Sequence, residues 1–367
     1  MKDIFNNKFT DQVTLTHDYL VPEISSYLIS NEKKIQDRAK KIIESAKEYN
    51  SYNAFEKLMH EYDLSSSEGI VLMCLAEALL RIPDNKTIND LIEDKIPSGK
   101  WKDHIKNDNN IFVNISSIAF LMTGKILKQD ELKETDIFIS VLKNISKPVL
   151  RSVIKQSINI LAKQCIFEKE IKRASKLSSK LEGSIYAYSF DMLGEGARTY
   201  EDADKYFENY KNAIKVIGES STEKKHSISI KLSALHPRYE RSKLDLLRKE
   251  LLPKLFELIE LAKKVNVDIC FDAEEADRLN LSLFLVEEIL NSNVIDNNYS
   301  GFGIAVQAYQ QRSMFILKWL DTKLKKLNKK MNLRLVKGAY WDTEIKLAQE
   351  KGLENYPVFT KKFITDL

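Results

Sequence analysis

The chain has 367 residues, of which 43% are hydrophobic and 30% charged, and its formal net charge at neutral pH is +4. This is the composition of an ordinary globular protein, and because lysines are interleaved with acidic residues, the charge pattern argues against a nucleic-acid partner. The three cysteines are far apart and form no CxxC, which argues against a disulfide framework, and the histidines lack the HExxH spacing of a metal site. The N-terminus is unlike a signal peptide, and no apolar run is long enough for a membrane span. We therefore expect a cytoplasmic protein without a metal ion.

The first part of the chain, up to about residue 180, predicts helices. Residues 31–50 place apolar side chains at helical spacing between charged faces. Residues 65–83 begin with a serine N-cap and are apolar nearly all round, which predicts a helix buried in its domain. Two further helices are predicted at 110–127 and 147–166. We expect residues 1–180 to form a helical domain whose role is packing and oligomerisation.

From about residue 181 the pattern changes to short strands that alternate with amphipathic helices. Such alternation predicts a parallel sheet, either doubly wound or closed into a (β/α)8 barrel. The predicted strands are residues 184–190, 227–235, 268–275, 302–309 and 332–340.

The two faces of these strands distinguish the two folds. In the strand at 227–235, for example, Ile228 and Ile230 alternate with Ser229 and Lys231. A doubly wound sheet is covered on both faces and should be apolar on both, so one polar face favours a barrel with a ligand above its interior. A complete barrel needs roughly 250 residues, whereas 181–367 provides 187. We expect an incomplete (β/α)8 TIM-type barrel with about five strands.

Several sequence blocks are similar to one enzyme family. DLSSSEGIVLMCLAEALLRIPD, YSFDMLGEGART, SIKLSALHPRYER, FDAEEADRL, VQAYQQR and RLVKGAYWDTEIK resemble the proline dehydrogenase half of bacterial proline utilization A, from about residue 60 to the end. The resemblance implies a distorted (β/α)8 barrel at 181–367, preceded by a helical arm and α domain at 1–180. It also implies non-covalent FAD, oxidation of L-proline to Δ1-pyrroline-5-carboxylate, and electrons passed on to a membrane quinone by a peripheral contact with the inner membrane.

Arg334 and Lys337 are cations in or beside a predicted strand, where an unpaired charge is costly, so they indicate an anionic ligand. A fixed guanidinium suits the negative charge that a flavin acquires on accepting a hydride. The resemblance implies catalytic roles for Arg334 and Asp272. It implies that Lys231 binds the substrate carboxylate and that Glu195 and Tyr340 lie in the substrate pocket.

The same motifs imply a set of cofactor-contacting positions, among them a neutral amide suited to the flavin edge and a glycine that lets backbone approach closely. These positions are Ala273, Gln307, Val336, Lys337, Gly338, Ala339 and Trp341. Structural alternatives stay open: Lys231 could be paired with Asp272 or Glu274, and Tyr340 and Trp341 could fill the core. No residue stands out as the base for the proline amine.

The resemblance lacks three family features, namely the later barrel strands, the C-terminal helix with its arginine pair, and the aldehyde dehydrogenase half. A DNA-binding ribbon-helix-helix module is not recognised either. The chain is therefore expected to be a proline dehydrogenase polypeptide, acting alone or completed by a separately encoded C-terminal fragment. The alternatives are an inactive remnant of a split gene and a helical interaction protein. We expect weak or no turnover by this chain by itself and leave a homo-oligomer open.

Overall fold

The structure is a computed structural model that describes residues 32–48, 84, 86–87, 90–91, 166–168, 170–180, 186–220, 225–296 and 299–366. The predicted helices at 65–83 and 110–127, and nearly all of the one at 147–166, lie outside the described residues. Helix α1, Glu32–Glu48, confirms the helix predicted at 31–50, and α2 spans Ile171–Lys180. The described residues from Ile171 onward belong to one compact unit, and those within Asn31–Glu170 belong to another.

Strands and helices alternate from residue 189 onward, as predicted. Four of the five strands begin at the predicted residue, and the first begins five residues later. The elements are β1 Ser189–Asp191, α3 Tyr200–Ser220, β2 Ser227–Ile230, α4 Leu244–Lys264, β3 Asp268–Phe271, α5 Leu279–Asn291, β4 Phe302–Gln307, α6 Ser313–Leu327, β5 Asn332–Val336, α7 Trp341–Glu350 and α8 Lys362–Asp366.

The five strands form one parallel sheet in chain order, β1 to β5. In the ladder Ser229 lies opposite Cys270, and Ala305 lies opposite Arg334. Because side chains alternate between faces with a period of two, this register brings the small and polar residues of all five strands to one face. The predicted polar interior face is therefore continuous across the sheet.

The sheet is strongly curved, as a barrel requires. Neighbouring strands lie about 4.8 Å apart, so four flat intervals would separate β1 from β5 by about 19 Å. Nevertheless, Arg334 in β5 donates a hydrogen bond to Ser189 in β1 at 2.9 Å. A single side chain closes this distance only if the sheet curls around its polar face. The parallel α/β architecture of a partial barrel is thus confirmed.

The apolar face of the sheet carries the core. Ile230, Phe271 and Phe302 are at most 2% exposed, and the two phenylalanine rings meet edge to face at 5.1 Å. Complete burial of such a side chain contributes roughly 1.5–3 kcal/mol. On β5, however, Leu333 and Leu335 are 46% and 57% exposed, so no described element covers this strand's apolar side chains. The prediction of a covered apolar face is wrong for β5 within the described residues.

Local signals set the ends of the helices. Before α3, Thr199 and Asp202 form a reciprocal capping box, in which each side chain accepts a hydrogen bond from the other's backbone N–H at 3.0 Å. Helix α6 ends at Leu327 and is capped by Asn328, whose φ of 49° is the left-handed conformation that closes many helices. None of the helices in the described residues is long and apolar enough to cross a bilayer.

Candidate active site

The predicted charged residues meet at one carboxylate. Asp272 follows the last residue of β3 and accepts hydrogen bonds from Lys231 Nζ and Arg334 Nη1, both at 3.0 Å. Arg334 also donates to the hydroxyl groups of Ser229 and Ser189, at 3.0 and 2.9 Å. The side chains of Asp272 and Lys231 are 14% and 15% exposed, and that of Arg334 is 37% exposed. Three elements that are distant in the chain therefore place their charges in one partly buried cluster.

Asp191, the last residue of β1, is a member of this cluster that the sequence reasoning missed. Its carboxylate lies 2.8 Å from Lys231 Nζ and is 48% exposed. Burial would lower the pKa of Lys231, but its bonds to Asp191 and Asp272 outweigh burial and raise that pKa. The signal for Asp191 was present in the sequence, since it shares the polar parity of Ser189. Two cations and two carboxylates give the cluster no net charge.

The backbone of Lys231 is also fixed from outside the sheet. Its N–H donates to the hydroxyl of Tyr210 in α3 at 3.2 Å. Burial raises the pKa of Tyr210 to about 12, so this buried phenol stays neutral.

Gln307 ends β4, and protein groups fix the orientation of its buried amide. Its Nε2 donates to the Glu274 carbonyl at 2.9 Å, and its Oε1 accepts from the backbone N–H of Ala339 at 3.0 Å. Because the first partner can only accept and the second can only donate, the positions of the amide oxygen and nitrogen are defined. One of the two amide N–H groups has no acceptor among the bonds of the described residues.

Glu195 and Tyr340, both predicted to lie in a substrate pocket, contact each other. The Tyr340 hydroxyl donates to Glu195 at 3.3 Å, and burial together with the Glu195 charge raises the pKa of Tyr340. Glu195 lies between two glycines with positive φ, Gly194 at 127° and Gly196 at 64°. The Gly196 N–H is held by the Ser233 hydroxyl at 3.0 Å, so the loop that carries Glu195 is anchored to the end of β2.

Glu274 connects the turn after β2 to Arg278 and is not a described partner of Lys231. Its buried carboxylate accepts from the backbone N–H of Ser233 at 3.0 Å and from Arg278 at 2.7 Å. Of the two structural pairings left open for Lys231, the one with Asp272 is present and the one with Glu274 is not among its described bonds. Ala273, between these two acids, is partly exposed.

Some predicted residues do not join the cluster. Lys337 extends into solvent, 67% exposed, and pairs with Asp366 at 2.6 Å, a bond that raises the pKa of Lys337. Trp341 is 39% exposed and donates its indole N–H to the Phe359 carbonyl at 2.8 Å. The expectation that the Lys337 ammonium accompanies Arg334 in facing one anion is therefore not met. Residues 334 and 337 are an odd number apart, so the alternation of a strand directs them to opposite faces.

The backbone of the segment after β5 lies beside Gln307. The Val336 carbonyl accepts from Ala308 at 2.7 Å. Gly338 has a φ of 136°, and a Cβ there would lie 1.6 Å from a ring carbon of Tyr309. Glycine is thus required at 338 by its conformation and by the Tyr309 ring.

The chemistry of these groups fits a flavin and an amino-acid substrate better than a metal. The polar face carries the Arg334 guanidinium, the Lys231 ammonium and a Gln307 amide N–H without a described acceptor, groups that suit anions and hydrogen-bond acceptors. Among the described residues there is no group of three or more His, Cys, Asp or Glu side chains that could hold a metal ion.

Comparison with known proteins gives a consistent result. The family model "Proline dehydrogenase" matches residues 174–367, and the model "DNA-binding domain of Proline dehydrogenase" matches residues 54–165. The bifunctional protein PutA of Klebsiella aerogenes is 42% identical over 319 residues, which cover 85% of this chain and 24% of that protein. The PutA of Rhizobium meliloti is 39% identical over 345 residues, or 91% of this chain and 28% of that protein.

A solved structure agrees with these matches. A variant of proline utilization A from Bradyrhizobium japonicum superposes with a TM-score of 0.65 at 36% identity, covering 95% of this chain and 35% of that one. The chain thus spans about a quarter of the length of the curated relatives that it matches.

Proposed function

This chain belongs to the proline dehydrogenase family, and we propose that it binds FAD and oxidises L-proline to Δ1-pyrroline-5-carboxylate. The observation that carries the proposal is the Asp272 carboxylate, which joins Lys231 and Arg334 at the polar face of a curved parallel sheet. Both cations belong to the motifs that resemble the family. When bound, FAD would supply the acceptor for the hydride that leaves proline.

The charge balance of the cluster supports a zwitterionic substrate. The side chain of Lys231 is 15% exposed, so a ligand carboxylate can approach it without complete desolvation of the lysine. Asp191 and Asp272 balance the two cations, so a ligand without net charge adds none to the site. Of the two acids, Asp191 is the more exposed, and a carboxylate that approaches Lys231 would compete with it first.

Arg334 is proposed to act on the cofactor side. Three hydrogen bonds, to Asp272, Ser229 and Ser189, hold its guanidinium in one orientation. A preorganised cation of this kind stabilises negative charge where that charge develops. We assign the remaining cofactor contacts to Ala273, Gln307, Trp341 and the segment 336–339. For Lys337 the backbone rather than the ammonium supports a contact, since the ammonium pairs with Asp366.

Glu195 and Tyr340 are proposed to line the substrate pocket. Their mutual hydrogen bond brings the loop after β1 to the loop after β5. The division into a helical arm and α domain at 1–180 and a barrel segment at 181–367, the quinone acceptor, and peripheral membrane contact are also proposals; these rest on the family resemblance. The match named for a DNA-binding domain concerns residues mostly outside the described ranges, and the absence of a nucleic-acid partner stays a prediction.

The experiment is anaerobic mixing of the FAD-loaded chain with L-proline, with the visible flavin band as the readout. A single reduction event suffices, so weak turnover does not prevent the test. Bleaching by L-proline supports the proposal; bound FAD that does not bleach would refute oxidation by this chain alone, and a chain that binds no FAD would refute the cofactor assignment.

Variants separate the roles of the two cations. Arg334→Ala should slow flavin reduction more than it weakens proline binding, and Lys231→Ala should do the reverse. Lys254→Ala is the matched control, because Lys254 pairs with Asp204 on the helical surface, away from the sheet. The opposite pattern for Arg334 and Lys231 would overturn the assignment.

A further inference from the structure

Tyr309, two residues beyond β4, connects the candidate cofactor residues to one another. It is 3% exposed. Its backbone N–H donates to the Lys337 carbonyl at 3.0 Å, and its carbonyl accepts from Phe359 at 2.7 Å. Its hydroxyl donates to Gln307 Oε1 at 2.9 Å and accepts from the Tyr340 N–H at 3.2 Å. This side chain therefore contacts both the end of β4 and the segment after β5.

The direction of each bond follows from the partners. A backbone N–H can only donate, so the Tyr309 oxygen accepts from Tyr340 and its single proton is directed to Gln307. Burial raises the pKa of Tyr309 to about 12, so the proton is retained throughout the neutral range. Together with Ala339, Tyr309 occupies the carbonyl end of the Gln307 amide and leaves an N–H, rather than an oxygen, for a ligand.

The Tyr309 ring and Gly338 are sterically matched. A Cβ at 338 would lie 1.6 and 1.8 Å from two ring carbons of Tyr309, far inside contact distance. The ring therefore occupies the space that the absence of a side chain at 338 leaves free. The segment 337–340 is held both by hydrogen bonds to Tyr309 and by this close contact.

We propose that Tyr309 is a positioning residue that orients Gln307 as a hydrogen-bond donor and holds segment 337–340 against the cofactor site, so that the ligand group facing Gln307 must be an acceptor. This inference rests on the proposed FAD site and adds to it a residue that acts through Gln307 and the segment 337–340. A flavin ring carries carbonyl and imine acceptors along one edge, and these match the remaining N–H donor of the Gln307 amide.

The test compares Tyr309→Phe with Tyr299→Phe. Tyr299 is also a buried tyrosine and precedes β4 instead of following it, but its hydroxyl has no hydrogen-bond partner among the described residues. Two readouts are measured well below the unfolding transition: hydrogen exchange of the Ala339 and Tyr340 amides in the chain without FAD, and FAD affinity with its visible spectrum in a fluorescence titration.

We expect Tyr309→Phe to accelerate exchange at 339 and 340 about tenfold and to weaken FAD binding about tenfold, the effect of one lost hydrogen bond of ordinary strength. The visible flavin band should also shift, and Tyr299→Phe should change none of these. Unchanged exchange in Tyr309→Phe would overturn the positioning role whether or not the chain binds FAD. Accelerated exchange with unchanged FAD affinity and spectrum would overturn its connection to the cofactor. Failure of the unmodified chain to bind FAD would refute the proposed function instead, and exchange would still decide whether Tyr309 positions the segment.

Discussion

Replacing Asp272 with alanine should destabilise the barrel segment much more than replacing Asp191. Asp272 holds two cations and is 14% exposed, whereas Asp191 holds one and is 48% exposed. A hydrogen bond to a charged group contributes about 1.5–3 kcal/mol when it is shielded, which applies to the bond with Lys231. Arg334 is more than a third exposed, so its contact is screened and contributes about 0.2–1 kcal/mol.

The expected loss for Asp272→Ala is therefore about 2–4 kcal/mol, the sum of these two contributions. For Asp191→Ala it is about 0.2–1 kcal/mol, because Asp191 is half exposed and Lys231 keeps its other partner. Urea unfolding followed by tryptophan fluorescence measures both, since Trp319 and Trp341 lie in this unit. Equal losses for the two variants, within about 0.5 kcal/mol, would refute the shared-carboxylate reasoning.

Three further predictions concern single residues. Gly338→Ala should lower the free energy of unfolding in urea by about 3–5 kcal/mol, because Gly338 has a φ of 136° and the added methyl group would overlap the Tyr309 ring. Gly352 has a φ of 61° and no neighbour near the position of a Cβ, so Gly352→Ala should lower it by only about 1 kcal/mol. Burial lowers the pKa of His226 from its ordinary 6.5, so the unfolded chain binds this proton first and stability should fall as the pH drops below 6.5; His226→Asn should flatten that dependence in pH-resolved unfolding. Burial raises the pKa of the Cys270 thiol to about 11, so native alkylation at pH 8, followed by mass spectrometry, should leave Cys270 unmodified.

Each of these has a result that contradicts it. Equal losses for the two glycine variants would show that the Tyr309 ring gives way. An unchanged pH profile in His226→Asn would show that another group titrates. Rapid native labelling of Cys270, compared with the same peptide after denaturation, would show that β3 opens to solvent.

Much of the barrel segment could be predicted because its strands obey one simple pattern. Apolar and polar side chains alternate within each strand, and each strand begins where the helical spacing of apolar residues gives way to this alternation. The ends were harder to predict. Lys231 and Asp272 continue the alternation but lie just beyond the last paired residues of β2 and β3. The Asp272 N–H still donates to the Ile230 carbonyl at 2.9 Å, whereas the Lys231 N–H donates to the Tyr210 hydroxyl.

The parts of the site that could not be predicted depend on register and curvature. Asp191 and Lys231 are 40 residues apart, and only the pairing of β1 with β2 brings them together. Tyr309 was not singled out from the sequence, and its role emerges from bonds to two segments that the sheet places side by side. Lys337 was grouped with Arg334, although two strand residues an odd number apart lie on opposite faces. In the structure β5 ends at Val336, and the lysine pairs with Asp366.

The convergence of Lys231, Asp272 and Arg334 on one site for substrate and cofactor can be tested most directly by a crystal structure of the FAD-loaded chain with a cyclic amino-acid carboxylate that cannot be oxidised. The account predicts a ligand carboxylate oxygen within about 3.2 Å of Lys231 Nζ and a flavin ring atom within the same distance of Arg334. A ligand bound elsewhere, with these three side chains facing separate surfaces, would contradict it.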